Sequence, residues 1–416
     1  MSELVRRSGL RVQTLNPREQ GNSGCPVRNS LLYLDNAATS FPKPDSVCDA
    51  VDVWMRGGAA AAGRGTHRKA EAADRMIDEC RRQLATLLGV SIPAQIVFTL
   101  NCTDSLNTVL QGFLEPGDAV VATALDHNSV LRPLEALRQR IGIAVEIIPF
   151  DPVTGLIDAP RFTQVLAEKK IRLVVLNHAS NVTGRVQSVA ELTRVAHAHG
   201  ASVLLDAAQT AGHWPLSMAE LDVDFLAAAG HKGLLGPLGT GILCLRRGLE
   251  TQLPPLRFGG TGTASESLVQ PSDMPTRFES GNLNLPGIVG LHAATKWILT
   301  QGVEKLRSQI HARTAQLLEE LKRLQNVSVL RPCLESSNCG IVSFNIGHMD
   351  CQDVAMILDQ SFDIQSRAGL HCAPLLHQTL DPRSSHGTIR LSPGVFTTED
   401  DIAHAVQAVR EIAAHA

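Results

Sequence analysis

Short apolar runs alternate with stretches of helical spacing through most of the chain. These runs end in polar residues and read "QIVFTL", "DAVVATALDH", "AVEIIPF", "IRLVVLNHAS" and "ASVLLDAAQ". Fully apolar strands separated by helices are typical of a mainly parallel sheet that is covered on both faces. The pattern therefore predicts an α/β fold.

Further elements are predicted on either side of this alternation. Before it, "DSVCDAVDVWM" and "KAEAADRMIDECRRQLATLLGV" have helical spacing, and Gly89 is suited to end the second helix. After it, one long helix is predicted from about Pro286 to "EELKRL". The chain then continues with "VSVLRP", "GIVSFNI", "DCQDVAMILDQ", "FDIQSRAG", "GTIRLSP" and a last helix, which is the mixed order of a small α+β domain.

The length of 416 residues also favours two domains. We predict a large domain over residues 31–295 and a small domain over residues 296–416, with residues 31–45 packing on the small domain. Residues 1–30 are predicted to form a flexible extension, and its arginines leave an organelle presequence as a less favoured alternative.

Polar groups follow four of the predicted strands. They are residues 101–103, 126–128, 177–181 and 206–209. In open α/β sheets, ligands bind at the carboxyl ends of the strands. The sequence therefore predicts a site at this edge of the sheet.

Composition narrows the range of partners. Lys+Arg 38 against Asp+Glu 41 gives a formal net charge of -3, and aromatic residues make up 4% of the chain. This balance offers no case for binding nucleic acid or an anionic membrane. No apolar run approaches the roughly 18 residues that a membrane span needs. The nine cysteines are scattered without a CxxC pair, which disfavours a disulfide framework or zinc knuckle and favours a reducing cytoplasm.

Lys232 lies in "GHKGLLGPLGTG", after an apolar strand and before a glycine-rich turn. A lone lysine there is more often an exposed loop cation. Asp206, however, ends another apolar strand, and a buried carboxylate needs a partner. Pyridoxal phosphate requires such a pair, a lysine for its aldehyde and an acid for its ring nitrogen.

The cofactor's phosphate also requires backbone N–H groups at a helix start. Thr103, in "NCTDSLN", is placed where a strand becomes a helix, although Thr-Asp is equally an ordinary helix cap. His127, in "LDHNS", taken alone is more often a structural histidine. The order of these parts is more specific than any one of them.

These motifs resemble the class V aminotransferase-like enzymes, in particular cysteine desulfurases and selenocysteine lyases. The resemblance runs from about Leu31 to the C-terminus and rests on "YLDNAAT", "GRGTHR", "NCTDSLN", "DHNS", "NHASNVTG", "DAAQ", "GHKGLLGPLGTG", "RFESGN", "RAGLHCAP" and "TIRLSPG". It implies fold type I, with a mainly parallel seven-stranded sheet in the large domain. It also implies a homodimer in which each site is completed by the partner subunit.

The resemblance implies a role for each matching residue. The residues expected to contact pyridoxal 5'-phosphate are Cys102, Thr103, His127, Asn181, Asp206, Gln209, His231, Lys232 and Asn282. Lys232 matches the lysine that binds the aldehyde, Asp206 the partner of the ring nitrogen, and His127 the imidazole stacked on the ring. Gln209 matches the partner of the ring hydroxyl.

Substrate contacts are implied in the same way. Asn181 and Arg390 match groups that hold the substrate carboxylate, which the guanidinium fork of arginine can bind bidentately. Ala37 is a further expected substrate contact. Without the resemblance, Arg390 would be interpreted as an exposed strand arginine with a solvated head.

Cys372, in "RAGLHCAP", could be a buried filler, a metal ligand, half of a disulfide or a nucleophile. The resemblance favours the nucleophile, with Lys232, Cys372 and His127 as the catalytic group. His371 is a candidate for favouring its thiolate form. The span from Cys372 to Arg390 is short, which the resemblance links to desulfurases that depend on a sulfur-acceptor protein.

The chain departs from the family pattern at several positions. Ala229 replaces a frequent serine or threonine, Cys102 a frequent threonine, and Asn282 the threonine that reaches the neighbouring subunit's phosphate. Ala61 and Ala62 stand where Asn-Pro is common. These changes leave the phosphate contacts and the substrate preference open.

The expected activity is conversion of L-cysteine to L-alanine, with the sulfur passed to Cys372 as a persulfide. The alternative is a selenocysteine lyase or another class V C–S lyase, aminotransferase or epimerase. A non-catalytic binding relative is more remote, because both Lys232 and Asp206 are present.

Overall fold

The computed structural model describes residues 31–57, 60–63, 65, 67–263, 265–334, 337–380 and 387–416. The predicted flexible extension, residues 1–30, lies outside these described residues. Within them, no helix is both long enough and apolar enough to cross a membrane.

The strands are numbered along the chain. They are β1 (Leu32–Tyr33), β2 (Ile96–Thr99), β3 (Ala119–Thr123), β4 (Ala144–Ile148), β5 (Ile171–Asn177), β6 (Ser202–Asp206), β7 (Phe225–Ala229), β8 (Gly241–Leu245), β9 (Val327–Val329), β10 (Val342–Ile346), β11 (Ile364–Gln365), β12 (Arg367–Gly369) and β13 (Thr388–Leu391). The helices are α1 (Asp45–Gly57), α2 (Arg68–Leu88), α3 (Cys102–Phe113), α4 (Asn128–Ile141), α5 (Ala159–Glu168), α6 (Val189–Ala198), α7 (Met218–Leu221), α8 (Leu285–Gln301), α9 (Val303–Leu321), α10 (Cys351–Phe362), α11 (Pro374–Leu380) and α12 (Glu399–Ala413).

A seven-stranded sheet organises the larger part of the described chain, in the order β2-β8-β7-β6-β5-β3-β4. The neighbours from β7 to β4 pair in parallel, and β8 runs antiparallel to both β7 and β2. The predicted α/β fold with a mainly parallel seven-stranded sheet is therefore confirmed.

Both faces of this sheet are buried, as the apolar strands predict. Along β5, Leu173 and Val175 pack with α3 and α4 on one face. Val174 and Leu176 pack with α2, α5 and α8 on the other. Successive side chains of a strand point to opposite faces, so a strand covered twice must be apolar throughout. The polar residues are consequently confined to the strand ends.

A second, antiparallel sheet has the order β12-β13-β10-β9. Helices α9, α10 and α12 supply its apolar cover. The short strand β1 pairs in parallel with β11, which ties the beginning of the described chain to this smaller unit. The predicted division at residues 295 and 296 falls inside α8, and the two-domain organisation stays a prediction.

One predicted element differs from the structure. The single long helix after Pro286 is wrong, because Gly302 (φ 84°, ψ 129°) separates α8 from α9. Glycine adopts positive φ without the steric cost that side chains meet. The run "FDIQSRAG" forms two strands, with β11 joined to β1 and β12 to β13.

Candidate active site

The carboxyl ends of the parallel strands and the start of α3 enclose a cavity. Its empty space, open mouth included, is about 480 Å³, within the range of small-molecule sites. It is lined by Asn101, Cys102, Thr103, His127, Ser129, Asn177, Ala179, Asn181, Asp206, Ala208, Gln209, Ala229, His231 and Lys232. We call Cys102, Asp206 and Lys232 the sheet floor of this cavity.

Asp206 ends β6 and is 5% exposed. Its Oδ1 accepts the N–H of Ala208 at 2.9 Å and the thiol of Cys102 at 3.5 Å. Burial, reinforced by Asp206, raises the pKa of Cys102 well above its usual range, so this thiol stays a neutral donor. Among the described residues Asp206 Oδ2 accepts no hydrogen bond, and it is available to a cationic ligand group.

Lys232 lies in the turn that follows β7. A side chain on Gly230 would come within 2.1 Å of Thr240 Oγ1, so the tight turn requires glycine. Burial lowers the pKa of Lys232, and the negative charge of Asp206 opposes this shift. The amine is therefore neutral more often than that of an exposed lysine, as a nucleophile or base requires.

The backbone around Lys232 is clamped from the loop after β1. Ser40 donates its backbone N–H to His231 O at 3.0 Å and its hydroxyl to Lys232 O at 2.9 Å. Lys43 Nζ donates to His231 O at 2.9 Å and to Ser40 Oγ at 2.7 Å. Burial lowers the pKa of Lys43 to about 8. This clamp holds the backbone at Lys232 in place.

His127 is the N-cap of α4, where its Nδ1 accepts the N–H of Ser129 at 3.0 Å. Burial lowers the pKa of His127 to about 4, although the negative charge of Asp206 works against this. The imidazole is therefore neutral near pH 7. A neutral ring fixed in this way is suited to packing on a flat heteroaromatic group.

The start of α3 forms the opposite end of the cavity. Asn101 caps the helix through Asp104 N–H at 2.9 Å, which leaves the N–H groups of Cys102 and Thr103 without intrahelical partners. Such N–H groups bind anions, phosphate above all. Ala229, which also lines the cavity, offers no hydroxyl here.

Among the described residues, three buried polar atoms in this cavity have no hydrogen-bond partner. They are Asn177 Oδ1, Asn181 Oδ1 and His231 Nδ1. Buried polar atoms are normally paired, so unpaired atoms that converge on a cavity are typical of a ligand site. With Lys232, Asp206 and the start of α3, they provide groups that fit an aldehyde, a pyridinium and a phosphate.

Cys372 lies on a tight turn beside this cavity, and we call residues 367–372 the cysteine turn. Both His371 (φ 50°) and Cys372 (φ 59°) are left-handed, a conformation uncommon for non-glycine residues. Asn181 Nδ2 donates to His371 O at 2.7 Å, and Asn128 N–H donates to Cys372 O at 2.8 Å. These contacts hold a strained backbone conformation at Cys372. The predicted short span after it includes residues 381–386, which lie outside the described residues.

His371 is the residue that the sequence offers as a candidate for favouring the thiolate form of Cys372. Its Nε2 lies 3.0 Å from Thr388 O, and burial lowers its pKa to about 2. A neutral imidazole cannot attract an anion by net charge, and the role of His371 in favouring the thiolate form of Cys372 stays a prediction. The cation that contacts Cys372 is Arg367, whose Nη2 lies 3.9 Å from Sγ.

Arg390 is 1% exposed, so its interpretation as a solvated surface arginine is wrong. Its Nη1 donates to Asn181 O at 3.0 Å, and its Nη2 to Asp35 Oδ1 at 2.7 Å. Its buried Nε has no hydrogen-bond partner in the part of the chain that the structure describes. An arginine with one free edge beside the cavity is able to bind a carboxylate.

The remaining predicted residues differ in placement. Gln209 lines the cavity, and its Nε2 donates to Ala37 O at 3.1 Å, while Ala37 N–H donates to Ser392 Oγ at 2.9 Å. Asn282 lines a different cavity, together with Arg257. The roles assigned to all these residues stay predictions.

Two hypotheses for Cys372, that it is a metal ligand and that it is half of a disulfide, gain no support from the described residues. Within the described ranges Cys372 is a free thiol. No group of three or more His, Cys, Asp or Glu side chains among those residues could hold a metal ion.

The sequence missed Arg367, Asp35 and the Lys43 clamp. Arg367 and Asp35 both belong to quoted motifs, but nothing in the local pattern shows where their side chains point. The signal that could have identified these residues is their charge, because charged residues are rare in segments that a fold buries.

The chain belongs to the class V aminotransferase family. The profile of that family, Aminotransferase class-V, matches residues 32–404. The match includes the strands of the large sheet, the sheet floor and the cysteine turn.

Within that family the chain is similar to cysteine desulfurases. It is 34% identical over 392 residues to a probable cysteine desulfurase from Methanothermobacter thermautotrophicus, covering 93% of this chain and 96% of the relative. Its structure matches the apo cysteine desulfurase from Thermococcus onnurineus NA1 with a TM-score of 0.87 and 32% identity, covering 93% and 96% of the two chains. A cysteine desulfurase from Escherichia coli, in an S-sulfonic acid form, matches with a TM-score of 0.82 and 28% identity over 93% and 96%. The predicted resemblance is confirmed.

Proposed function

We propose that this protein is a pyridoxal 5'-phosphate-dependent cysteine desulfurase that converts L-cysteine to L-alanine and takes up the sulfur on Cys372. The main support is that the cysteine turn is anchored to the cavity wall. Asn181 donates to His371 O, and Asn128, next to His127, donates to Cys372 O. These two contacts tie the turn that contains Cys372 to the wall of the cavity in which the buried Lys232 and Asp206 lie.

The residues of the cavity would hold the cofactor in a definite orientation. Lys232 would bind its aldehyde, Asp206 would pair with its ring nitrogen, and the start of α3 would bind its phosphate. Gln209 and the neutral ring of His127 would contact the ring itself. When bound, the cofactor withdraws electrons from the substrate and makes its Cα proton acidic.

The chain's own residues would then perform the remaining steps. Arg390 binds the substrate carboxylate, which places Cα near Lys232. The neutral amine of Lys232 removes the Cα proton. The Cys372 thiolate attacks the substrate sulfur, so an S–S bond forms as the C–S bond breaks. The carbon keeps the electron pair, is protonated and leaves as alanine, and the sulfur stays on Cys372 as a persulfide.

The test is to incubate the cofactor-loaded protein with L-cysteine and to measure alanine and enzyme-bound persulfide. Cys372→Ala should abolish both products and keep the visible absorption of the cofactor. Cys48→Ala, at an exposed cysteine on α1, should behave as wild type. Continued formation of alanine and persulfide in Cys372→Ala would refute the nucleophile.

The same assay, with other substrates, distinguishes the proposed activity from related enzyme activities. Products from cysteine, selenocysteine, cysteine sulfinate and cysteine conjugates, identified by mass spectrometry, distinguish a desulfurase from a selenocysteine lyase, another C–S lyase, an aminotransferase or an epimerase. A protein that binds pyridoxal phosphate but converts none of these substrates would be a non-catalytic relative.

We further propose that the protein acts as a homodimer. Phe258 (71% exposed), Val269 (78%) and Leu268 are apolar side chains exposed on the same long segment that contains Asn282. Burying such side chains against a second copy would remove apolar area from water. The molar mass measured by light scattering should be twice that of the chain.

The acceptor protein and the location remain proposals as well. A compact cysteine turn would restrict small thiols, so a candidate sulfur-acceptor protein should stimulate alanine formation. The absence of stimulation by every candidate would contradict this. A reducing cytoplasm is the proposed location, and fractionation of cells expressing the full chain would test it.

A further inference from the structure

Two arginines stand opposite each other at the cysteine turn. Arg367 on β12 is the direct cross-strand partner of Arg390 on β13. Opposed residues of an antiparallel pair have Cβ atoms roughly 4.5–5.5 Å apart, and like charges in such pairs destabilise the sheet. Two facing guanidinium groups therefore require compensating negative charge.

A single carboxylate serves these two arginines among the described residues. Asp35 pairs with Arg390 Nη2 at 2.7 Å. Arg367 has no carboxylate partner in the part of the chain that the structure describes. Its side chain contacts the sulfur of Cys372 instead, with 3.9 Å between Nη2 and Sγ.

The other titratable groups around the sulfur do not carry a free positive charge. Burial lowers the pKa of His371 to about 2 and that of His127 to about 4, so both rings are neutral. Arg390 is paired with Asp35 through Nη2 only, and Lys232 lies at the sheet floor with Asp206. Arg367 is one of the positive charges that act on His127 and Lys232, which places its guanidinium within the site.

We propose that Arg367 is a catalytic residue that binds anionic sulfur on Cys372, first the thiolate and then the persulfide. A hydrogen bond between a guanidinium and an anionic sulfur is charge-assisted, whereas a neutral thiol is a weak acceptor. The inference rests on the proposed desulfurase reaction. In that reaction Arg367 would hold the attacking sulfur, and after the C–S bond breaks it would hold the negative charge of the persulfide.

The contacts of the two arginines indicate different roles for them. Arg390, with its free Nε, is left for the substrate carboxylate, and Arg367 for the sulfur. Arg390 variants should therefore act mainly on KM for L-cysteine. Arg367 variants should act mainly on kcat and on the reactivity of Cys372.

The first test is the rate at which iodoacetamide alkylates Cys372 in the full-length, cofactor-loaded protein. Peptide mass spectrometry reads Cys372 and the exposed Cys48 in the same sample, so that Cys48 is an internal reference. Arg367→Met keeps length and removes charge, Arg367→Lys restores charge, and Arg132→Met, on the exposed side of α4, is the matched control.

In Arg367→Met the alkylation of Cys372 at neutral pH should fall about tenfold relative to Cys48, because the charge-assisted contact between the guanidinium and the anionic sulfur is lost. The difference should disappear at alkaline pH, and Arg367→Lys should recover most of the rate. Arg132→Met should match wild type. A wild-type rate in Arg367→Met, or a loss that neither alkaline pH nor lysine repairs, would overturn the proposal.

The second test separates this inference from the proposed function. Alkylation needs no substrate, so its outcome stands whether or not the protein forms alanine. Where alanine is formed, single-turnover persulfide formation should be slowed in Arg367→Met with little change in KM. A change in KM alone would assign Arg367 to substrate binding and overturn its role on sulfur.

Discussion

Each side chain of the sheet floor lies at or just beyond the end of a strand or the start of a helix, whereas the cysteine turn depends on contacts between distant parts of the chain. Asp206 ends β6, and Cys102 begins α3. The turn, by contrast, is held by Asn181, which is 190 positions away from His371. The floor is thus an outcome of the sheet itself, and the turn is an outcome of how the smaller unit meets the sheet.

Because of this difference, substitutions in the two regions should have different consequences. Loss of a floor residue should remove a group that is proposed to hold the cofactor, while the many backbone hydrogen bonds of the sheet remain. Loss of a residue at the turn should leave the proposed cofactor site intact and change what happens to the substrate. The following variants test that contrast.

The largest effect is expected at the sheet floor. Lys232→Ala removes both the aldehyde-binding amine and the proposed base, so alanine formation should fall by roughly 10³-fold or more. The visible absorption of the bound cofactor should be lost or shifted. Lys296→Ala, an exposed lysine on α8, should change neither quantity. An unchanged absorption spectrum in Lys232→Ala would contradict the proposal that the sheet floor binds the cofactor.

A smaller effect, and one of a different kind, is expected near the cysteine turn. Arg390→Lys keeps a charge but loses the planar fork, so kcat/KM for L-cysteine should fall by roughly 10²-fold, mainly through KM. The cofactor spectrum should stay as in wild type. Arg410→Lys on α12 is the matched control. A loss of cofactor binding in Arg390→Lys would show that the two regions are not separable.

A third region, the buried ion pair beside strand β2, is expected to affect the stability of the protein rather than its catalytic activity. Glu279, in the motif "RFESGN", accepts Arg81 Nη1 at 2.9 Å, Arg81 Nη2 at 3.0 Å and the N–H of Phe98 on β2 at 2.7 Å. Both side chains are buried. Glu279→Gln leaves a buried guanidinium uncompensated and should lower the free energy of unfolding by roughly 3 kcal/mol.

Chemical denaturation would measure this change. Glu304→Gln, which removes an exposed partner of Arg307, should cost less than about 1 kcal/mol. Equal losses in the two variants would contradict the assignment of Glu279 as support for the edge of the large sheet.

The smallest and most gradual effect is expected from pH. Burial lowers the pKa of His178 and of His213 to about 4, from an ordinary value of 6.5. The unfolded chain binds protons below about pH 6.5, whereas the native histidines do not until about pH 4. Their contribution to stability is therefore full above pH 6.5 and is lost progressively as the pH falls towards 4.

Thermal unfolding measured at steps of pH between about 7.5 and 4.5 would show a falling Tm. His178→Asn removes one of these groups and should make the decline less steep. A Tm that is constant over this range would contradict the buried, neutral state of the histidines.

The sequence alone determined the large sheet and the sheet floor, because both depend on short-range patterns. A strand covered on two faces must be apolar, and its polar residues therefore mark its end, which is how residues such as Asp206 and Thr103 could be identified. Gly89, with φ 61°, ends α2 as predicted, since a left-handed cap favours glycine. Gly302 shows the limit of that reasoning, because the helical spacing on either side of it concealed the break.

Only the tertiary structure decided which charged side chains contact the cysteine turn and which of them are paired. His371 precedes Cys372 in the chain and seemed suited to assist it, but burial makes its ring neutral. Arg367 contacts the sulfur because β12 pairs with β13, and Asp35 neutralises Arg390 because β1 joins the smaller unit through β11. Charges act through distance and burial rather than through position in the chain, so their pairing depended on a fold that brings together residues 355 positions apart.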